Sequence, residues 1–259
     1  MQYAKANSVQ SVLYGYADKK NGKIEKEHKF HIHGKFFWGG DVVRNIMPAF
    51  LGHSYADINE WIEGKCGLRE KKEHTALWRI MLDYNVIKNS NIIFDTNLSL
   101  GEDTKFINTY FLHVESIGVL EKTLYYLTIR SGSANVSSNA DPVLMTKNKL
   151  KLIEARKEID EIAFRCGYNT ENYWQGTMVL SGVQLALRLS HNNALSRKDN
   201  REIYISYMKN DDVKKAVRNF APVHKFKALP FLLLKFDNGN TLFALFSFVP
   251  ANLLANLKV

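Results

Sequence analysis

Gly101-Glu102-Asp103-Thr104-Lys105-Phe106-Ile107-Asn108-Thr109-Tyr110-Phe111 is the stretch on which the reading of the fold turns. Its apolar side chains fall at Phe106, Ile107, Tyr110 and Phe111, a spacing of i, i+1, i+4, i+5 that predicts a helix with one buried face. Glu102 and Asp103 head that helix. Carboxylates at this place accept the unpaired N–H groups of the first turn and meet the positive end of the helix dipole, so capping alone accounts for them. A pair of adjacent carboxylates after a glycine also suits acid–base work, because a positioned carboxylate can take the proton of an attacking hydroxyl.

Working outward, Ser8 to Tyr16 reads as a strand, Asp18 to Gly22 as a turn with Asn21-Gly22 the hairpin signal, and Lys23 to His33 as the return strand. Gly34 to Gly40 reads as a loop. Asp41 is a candidate N-cap for a helix carrying Val42, Val43, Ile46 and Met47. Ala76, Leu77, Ile80 and Met81 have helical spacing, and Asn91 to Phe94 is a short extended stretch. Beyond the quoted helix, Ser116 to Val119 and Leu124 to Ile129 predict two strands. A charged helix from about Leu144 to Phe164 follows, with Gly167 as its C-cap. Further helices are expected over Glu171–Leu189, where Gly176 and Gly182 would admit a close neighbour, and over Arg201–Asn219. The residues after about 220 are strongly apolar and interleaved with lysine. They fit a packed core, a coil against the first domain, or a segment lying in a lipid interface. The expected layout is residues 1–140, a helical region 141–220 and an apolar, basic segment 221–259.

An ordered set of motifs surrounds the Glu-Asp pair. Trp78-Arg79-Ile80-Met81-Leu82, Ile87-Lys88-Asn89 and Ile92-Ile93-Phe94-Asp95 precede it. Leu124-Tyr125-Tyr126-Leu127 and Arg130-Ser131-Gly132-Ser133 follow it. In this order, over residues 8 to 135, the chain resembles the second half of the catalytic domain of bacterial family-2 glycosyltransferases, which have the GT-A fold. The resemblance implies an α/β chain: a partial GT-A-like mixed sheet with flanking helices, then a mainly helical C-terminal region. It implies that Asp103 is the general base of an inverting transfer and that Glu102 supports it. Trp78 and Arg79 would line the acceptor side, and Arg130 and Ser133 the loop near the donor diphosphate. The implied partners are a nucleotide-diphosphate sugar and a glycan or lipid-linked acceptor of the bacterial surface, such as capsule, O-antigen or teichoic acid.

The sequence departs from the family pattern in two ways. Ile80 stands where the family has a lysine, and the Pro-x-Tyr-Asn strand end, the Asp-Asp-Gly-Ser turn and the Asp-x-Asp motif are missing from it. The Mg²⁺ or Mn²⁺ of the complete family enzyme would thus be held by ligands not in this chain. A second chain carrying the donor site, or a non-catalytic interaction module, are the readings that follow. Asp57-Ile58-Asn59 and Asp95-Thr96-Asn97 echo an acidic metal motif without its strand context, and His31-Ile32-His33, with His28 nearby, lacks further ligands.

Composition bounds the rest. A net charge of +9 and a pI near 9.3 favour polyanions, such as an anionic membrane face or a phosphorylated substrate. No Arg-rich arm, zinc-finger spacing or RNA-recognition motif points to nucleic acid. Walker, dinucleotide and nucleophile-elbow motifs are missing too. Cys66 and Cys166 read as reduced thiols of a cytosolic protein. Met1 to Lys5 has no signal-peptide h-region, and no apolar run of about 18 residues occurs. A cytoplasmic protein, peripheral on the inner face of the membrane, is expected.

Overall fold

Asn21 and Gly22 make the turn expected of them, with φ of 49° and 81°. Both sit in the left-handed region that a two-residue hairpin turn needs to match strand twist. The turn joins strand β1 (Ser11–Lys20) to its antiparallel neighbour β2 (Lys23–His28). The return strand ends at His28, short of the expected His33. The expected loop 34–40 contains a short strand, β3 (Phe36–Trp38), because its edge finds partners in Ser116 to Gly118. The helical spacing at Ala76 to Met81 is overridden likewise. Leu77–Arg79 forms a 3-10 turn and Ile80–Met81 forms β4, paired with Val12 and Leu13. The two strands expected downstream are one, β5 (Ser116–Thr128).

The computed structural model describes residues 1–98, 101–128, 141–236 and 239–249. Its helices are, in chain order, α1 (Gln2–Ala6), α2 (Met47–Leu51), α3 (Tyr55–Glu63), α4 (Tyr84–Asn89), α5 (Glu102–Phe111) and α6 (Pro142–Arg165). Then come α7 (Gln175–Ser190), α8 (Arg197–Met208), α9 (Asp211–Asn219), α10 (Leu229–Lys235) and α11 (Asn240–Phe246). The fold is mixed α/β and divides into two compact units. One comprises residues 1–51, 71–136 and 155–170, the other residues 52–70, 137–154 and 171–259.

The first unit is built on a 5-stranded mixed sheet, ordered β2-β1-β5-β3 with β4 on β1. β1 runs parallel to β5. Its other edge is shared, β4 taking Val12 and Leu13 and β2 taking Tyr16 to Lys20. Between Tyr14 and Tyr16 the β1–β5 register shifts, so that Leu120 and Thr123 face successive residues. Gly15 lies at that irregularity, where a Cβ would stand 3.2 Å from the Lys122 carbonyl. All four apolar residues of α5 are buried as their spacing predicts, and Phe111 meets Phe50 of α2 edge-on at 5.0 Å. Asp41 does not cap its helix. Its carboxylate takes Arg44 at 3.1 Å, and the turn that follows, Val42–Ile46, is π-helical before α2 begins. Gly167 ends α6 as expected, with φ 83° and its N–H on the Phe164 carbonyl.

The second unit is helical. α7 is its buried axis, packed by α3, α8, α9, α10 and α11. Gly176 is the close approach expected of it. A Cβ there would stand 2.5 Å from the Ser54 carbonyl oxygen and 2.6 Å from that of His53. The helix expected from Glu171 starts instead at Gln175, after a 3-10 turn over Glu171–Tyr173. The single helix expected over Arg201–Asn219 is two, broken at Asn210. The Asn210 side chain accepts the N–H groups of Asp212 and Val213 and starts α9. Part of the apolar C-terminal stretch is core: Phe231, Leu234, Leu242, Phe243 and Phe246 are buried. Among the described residues no helix is long and apolar enough to cross a membrane.

Candidate functional site

Gly101 places the acids. At φ 93° it adopts a left-handed conformation open to glycine at little cost, and the chain turns from it directly into α5. Asp103 follows in the first turn, half-buried, and accepts the backbone N–H of Leu77. Burial pushes its carboxyl above the usual range, and the neighbouring Glu102 charge adds to that. The Leu77 N–H opposes both without reversing them. Glu102 Oε2 is buried with no hydrogen-bond partner among the described residues. One residue on, the Thr104 hydroxyl donates to Thr75 Oγ1 at 3.0 Å. The Thr104–Thr75 bond fastens the head of α5 to the segment that runs on through Leu77.

Trp78 is the next residue of that segment. Its ring is half-exposed and stacks on Tyr125 of β5, centroids 4.3 Å apart and planes 14° from parallel. Tyr16 of β1 meets it edge-on at 4.8 Å, and His74 lies 5.5 Å away. Tyr16 stacks in turn on His28 at 4.2 Å, and His28 Nε2 is 2.8 Å from the Asp18 carboxylate. The Tyr14 hydroxyl donates to the Trp78 carbonyl at 2.7 Å. Burial, and then Tyr125, raise the Tyr14 pKa. Desolvation, helped by the Arg79 and His28 charges and opposed by Asp18, lowers the His74 imidazole from its usual range. The result is an aromatic wall beside a carboxylate pair.

Arg79 lies beneath this wall rather than on it. Its side chain is 1% exposed and ion-paired with Glu73 at 2.7 Å. The guanidinium sits over the rings of Phe30, Tyr16 and Phe50, at 4.6, 5.3 and 5.9 Å. Glu73 also accepts the His31 backbone N–H at 2.6 Å. Asp103, Glu102, Trp78 and Arg79 thus belong to one neighbourhood, while Arg130 and Ser133 lie outside the described residues.

The acidic look-alikes have structural work. Asp57 forms a capping box with Ser54 at the start of α3. Asp95 pairs with Lys105 at 2.7 Å and accepts the Asn97 N–H. The Lys105 hydrogen bond leads in holding its carboxyl below the usual range. Lys105 pairs with Glu158 as well. Among the described residues no group of three or more His, Cys, Asp or Glu is arranged to hold a metal ion. Tyr16, His74 and Glu73 complete the neighbourhood without having been named as site residues from sequence, and Tyr125 was quoted only within the Leu124-Tyr125-Tyr126-Leu127 motif. The only signal for Tyr16 and Tyr125 was aromatic content in β1 and β5, and which ring faces Trp78 depends on the register shift at Gly15; Glu73 and His74 lie outside both strands.

No protein-family model matches the chain, and no curated protein matches it. Among solved structures, residues 1–349 of S. aureus TarS in complex with UDP-GlcNAc align over 90% of this chain and 49% of that one, at 13% identity and TM-score 0.36. The same TarS segment in complex with UDP aligns over 95% of this chain and 59% of that one, at 12% identity and TM-score 0.37. This chain spans between half and three-fifths of the TarS structures it matches. At such TM-scores the likeness carries no residue role across.

Proposed function

We propose that this chain supplies the acceptor side of a bacterial glycosyl transfer. Asp103 takes the proton of an acceptor hydroxyl as that oxygen attacks the anomeric carbon of a nucleotide-diphosphate sugar. The new C–O bond forms as the bond to the diphosphate breaks, the nucleoside diphosphate leaves with the electron pair, and the anomeric centre inverts. Glu102 holds a hydroxyl of the acceptor or the base itself. The Trp78–Tyr125 wall takes the apolar C–H face of the sugar. The acceptor is a hydroxyl of a surface glycan, free or lipid-linked. Mg²⁺ or Mn²⁺ would neutralise the leaving diphosphate in the complete family enzyme. No residue described in this chain is assigned to it, and no step above runs through it.

The observation that supports this reading is the coupling of Asp103 to the Trp78 turn through the Leu77 N–H, with the carboxyl pKa raised. A base whose pKa is moved up toward the working pH accepts a proton more effectively than an ordinary aspartate. Tryptophan fluorescence during titration with bacterial glycan fragments tests the acceptor site. A saturable change is expected in the wild type and should vanish in Trp78→Phe. A signal unaltered by that substitution places the acceptor elsewhere.

A further inference from the structure

We propose that the outward face of α10 and α11, with the 3-10 turn leading into α10, docks on an anionic lipid bilayer. The inference stands on the second unit alone and does not depend on the transfer reading. Both helices bury one side against α7 and against each other. Phe231 and Leu234 turn inward from α10, while Leu229 and Leu232 are exposed at spacing i, i+3 and Phe236, just past the end of the helix, is exposed as well. α11 repeats the arrangement, with Leu242, Phe243 and Phe246 buried and Leu245 exposed. Phe226 is 89% exposed in the 3-10 turn and Phe248 is 76% exposed after α11. Large apolar side chains in such number along adjoining elements exceed the scattered exposures of an ordinary surface.

Charge decides the occupant. From Val213 to Phe236 the sequence has six Lys or Arg and no Asp or Glu. Lys225 and Lys227 flank Phe226, and Lys235 precedes Phe236. Beside α10 a cavity of about 500 Å³ is lined by Lys214, Arg218 and Lys235 over an apolar floor of Met208, Val217 and Leu234. Its one acid, Asp211, is paired with Lys214 at 3.3 Å. Phenylalanines flanked by lysines match the depth profile of a membrane interface, with rings at the acyl boundary and ammonium groups reaching phosphates. An acidic protein partner would satisfy the lysines but would leave so broad an apolar face without a stated counterpart.

Flotation of the full chain with vesicles of equal parts phosphatidylcholine and phosphatidylglycerol, against phosphatidylcholine alone, tests the proposal. Binding is expected on the anionic vesicles only and should weaken as salt shortens the screening length. Replacing Lys225 or Lys227 by Ala should weaken it by about fivefold each. The triple substitution Phe226→Ser, Phe236→Ser, Phe248→Ser touches only exposed rings, so circular dichroism should be unchanged while vesicle affinity falls by about tenfold or more. Absence of flotation at low salt overturns the proposal. So does a triple variant that floats like the wild type, since the net charge alone would then be at work. A wild-type dimer in sedimentation velocity that the triple variant converts to monomer, without vesicle binding, assigns the face to self-association instead.

Discussion

Asp103 combines two demands that pull against each other. Its carboxyl is raised by burial and by Glu102, so the folded chain holds the proton more tightly than the unfolded chain. The sign follows by linkage. Relative to an ordinary aspartate, the folded state gains from protonation below the unfolded pKa, and that gain is lost as pH rises through the raised folded value. At neutral pH an ionised Asp103 therefore costs stability. Asp103→Asn should unfold at equal or higher urea concentration than wild type near pH 7, with the difference closing toward about pH 4. The same substitution should cut sugar transfer by about 10²- to 10⁴-fold. A variant that is less stable at neutral pH and fully active would show a capping residue and nothing more. Glu73 presents the opposite case. It is the charge partner of a guanidinium that is 1% exposed, so Glu73→Gln leaves Arg79 buried and uncompensated. Denaturant melts should show a loss of about 3–5 kcal/mol, and adding Arg79→Met should recover part of it.

Elements were legible in the sequence where local chemistry and tertiary packing agree. Asn21-Gly22 favours left-handed backbone at both positions, and the hairpin is there. The apolar spacing of Phe106 to Phe111 gives the buried face of α5. The missed strands share one cause, pairing across long sequence separation. Ile80 and Met81 have helical spacing, yet Val12 and Leu13 capture them as a strand. Phe36 to Trp38 looks like loop beside Gly39-Gly40, yet Ser116 to Gly118 pairs with it. For the same reason the acids and Trp78 were readable as candidates, while Tyr16 and Tyr125 were not. Their place beside Trp78 depends on a register shift that no local pattern encodes. Gly176 shows where a sequence signal and its packing meaning coincide. Gly176→Ala puts a methyl group against the Ser54 and His53 carbonyls, which are backbone and cannot swing away. The expected cost is about 1–3 kcal/mol, read by thermal melting. An unchanged melting temperature would mean that the N-terminus of α7 can shift away from the start of α3 without loss.

For the molecule as a whole, the proposed transfer requires that a carboxylate pair and an aromatic wall meet both an acceptor sugar and a donor. The sequence of this chain has no Asp-x-Asp, and its described residues gather no metal-binding set. A general base can deprotonate an acceptor only when an electrophile is within reach, and it adds nothing to the binding of a diphosphate. If the donor site lies in another chain, titration with uridine- and guanosine-diphosphate sugars should give no saturable binding to this chain, with or without Mn²⁺. The general basicity would contribute only weak association that falls steeply with salt. Adding a chain that carries the Pro-x-Tyr-Asn strand and the Asp-x-Asp should then produce transfer, and Asp103→Asn in this chain should remove it. Saturable, Mn²⁺-dependent binding by this chain alone would refute the division of labour and would locate a donor site in residues to which no such role is given above. Transfer that appears on mixing and survives Asp103→Asn would instead make this chain a docking partner, with the base on the other.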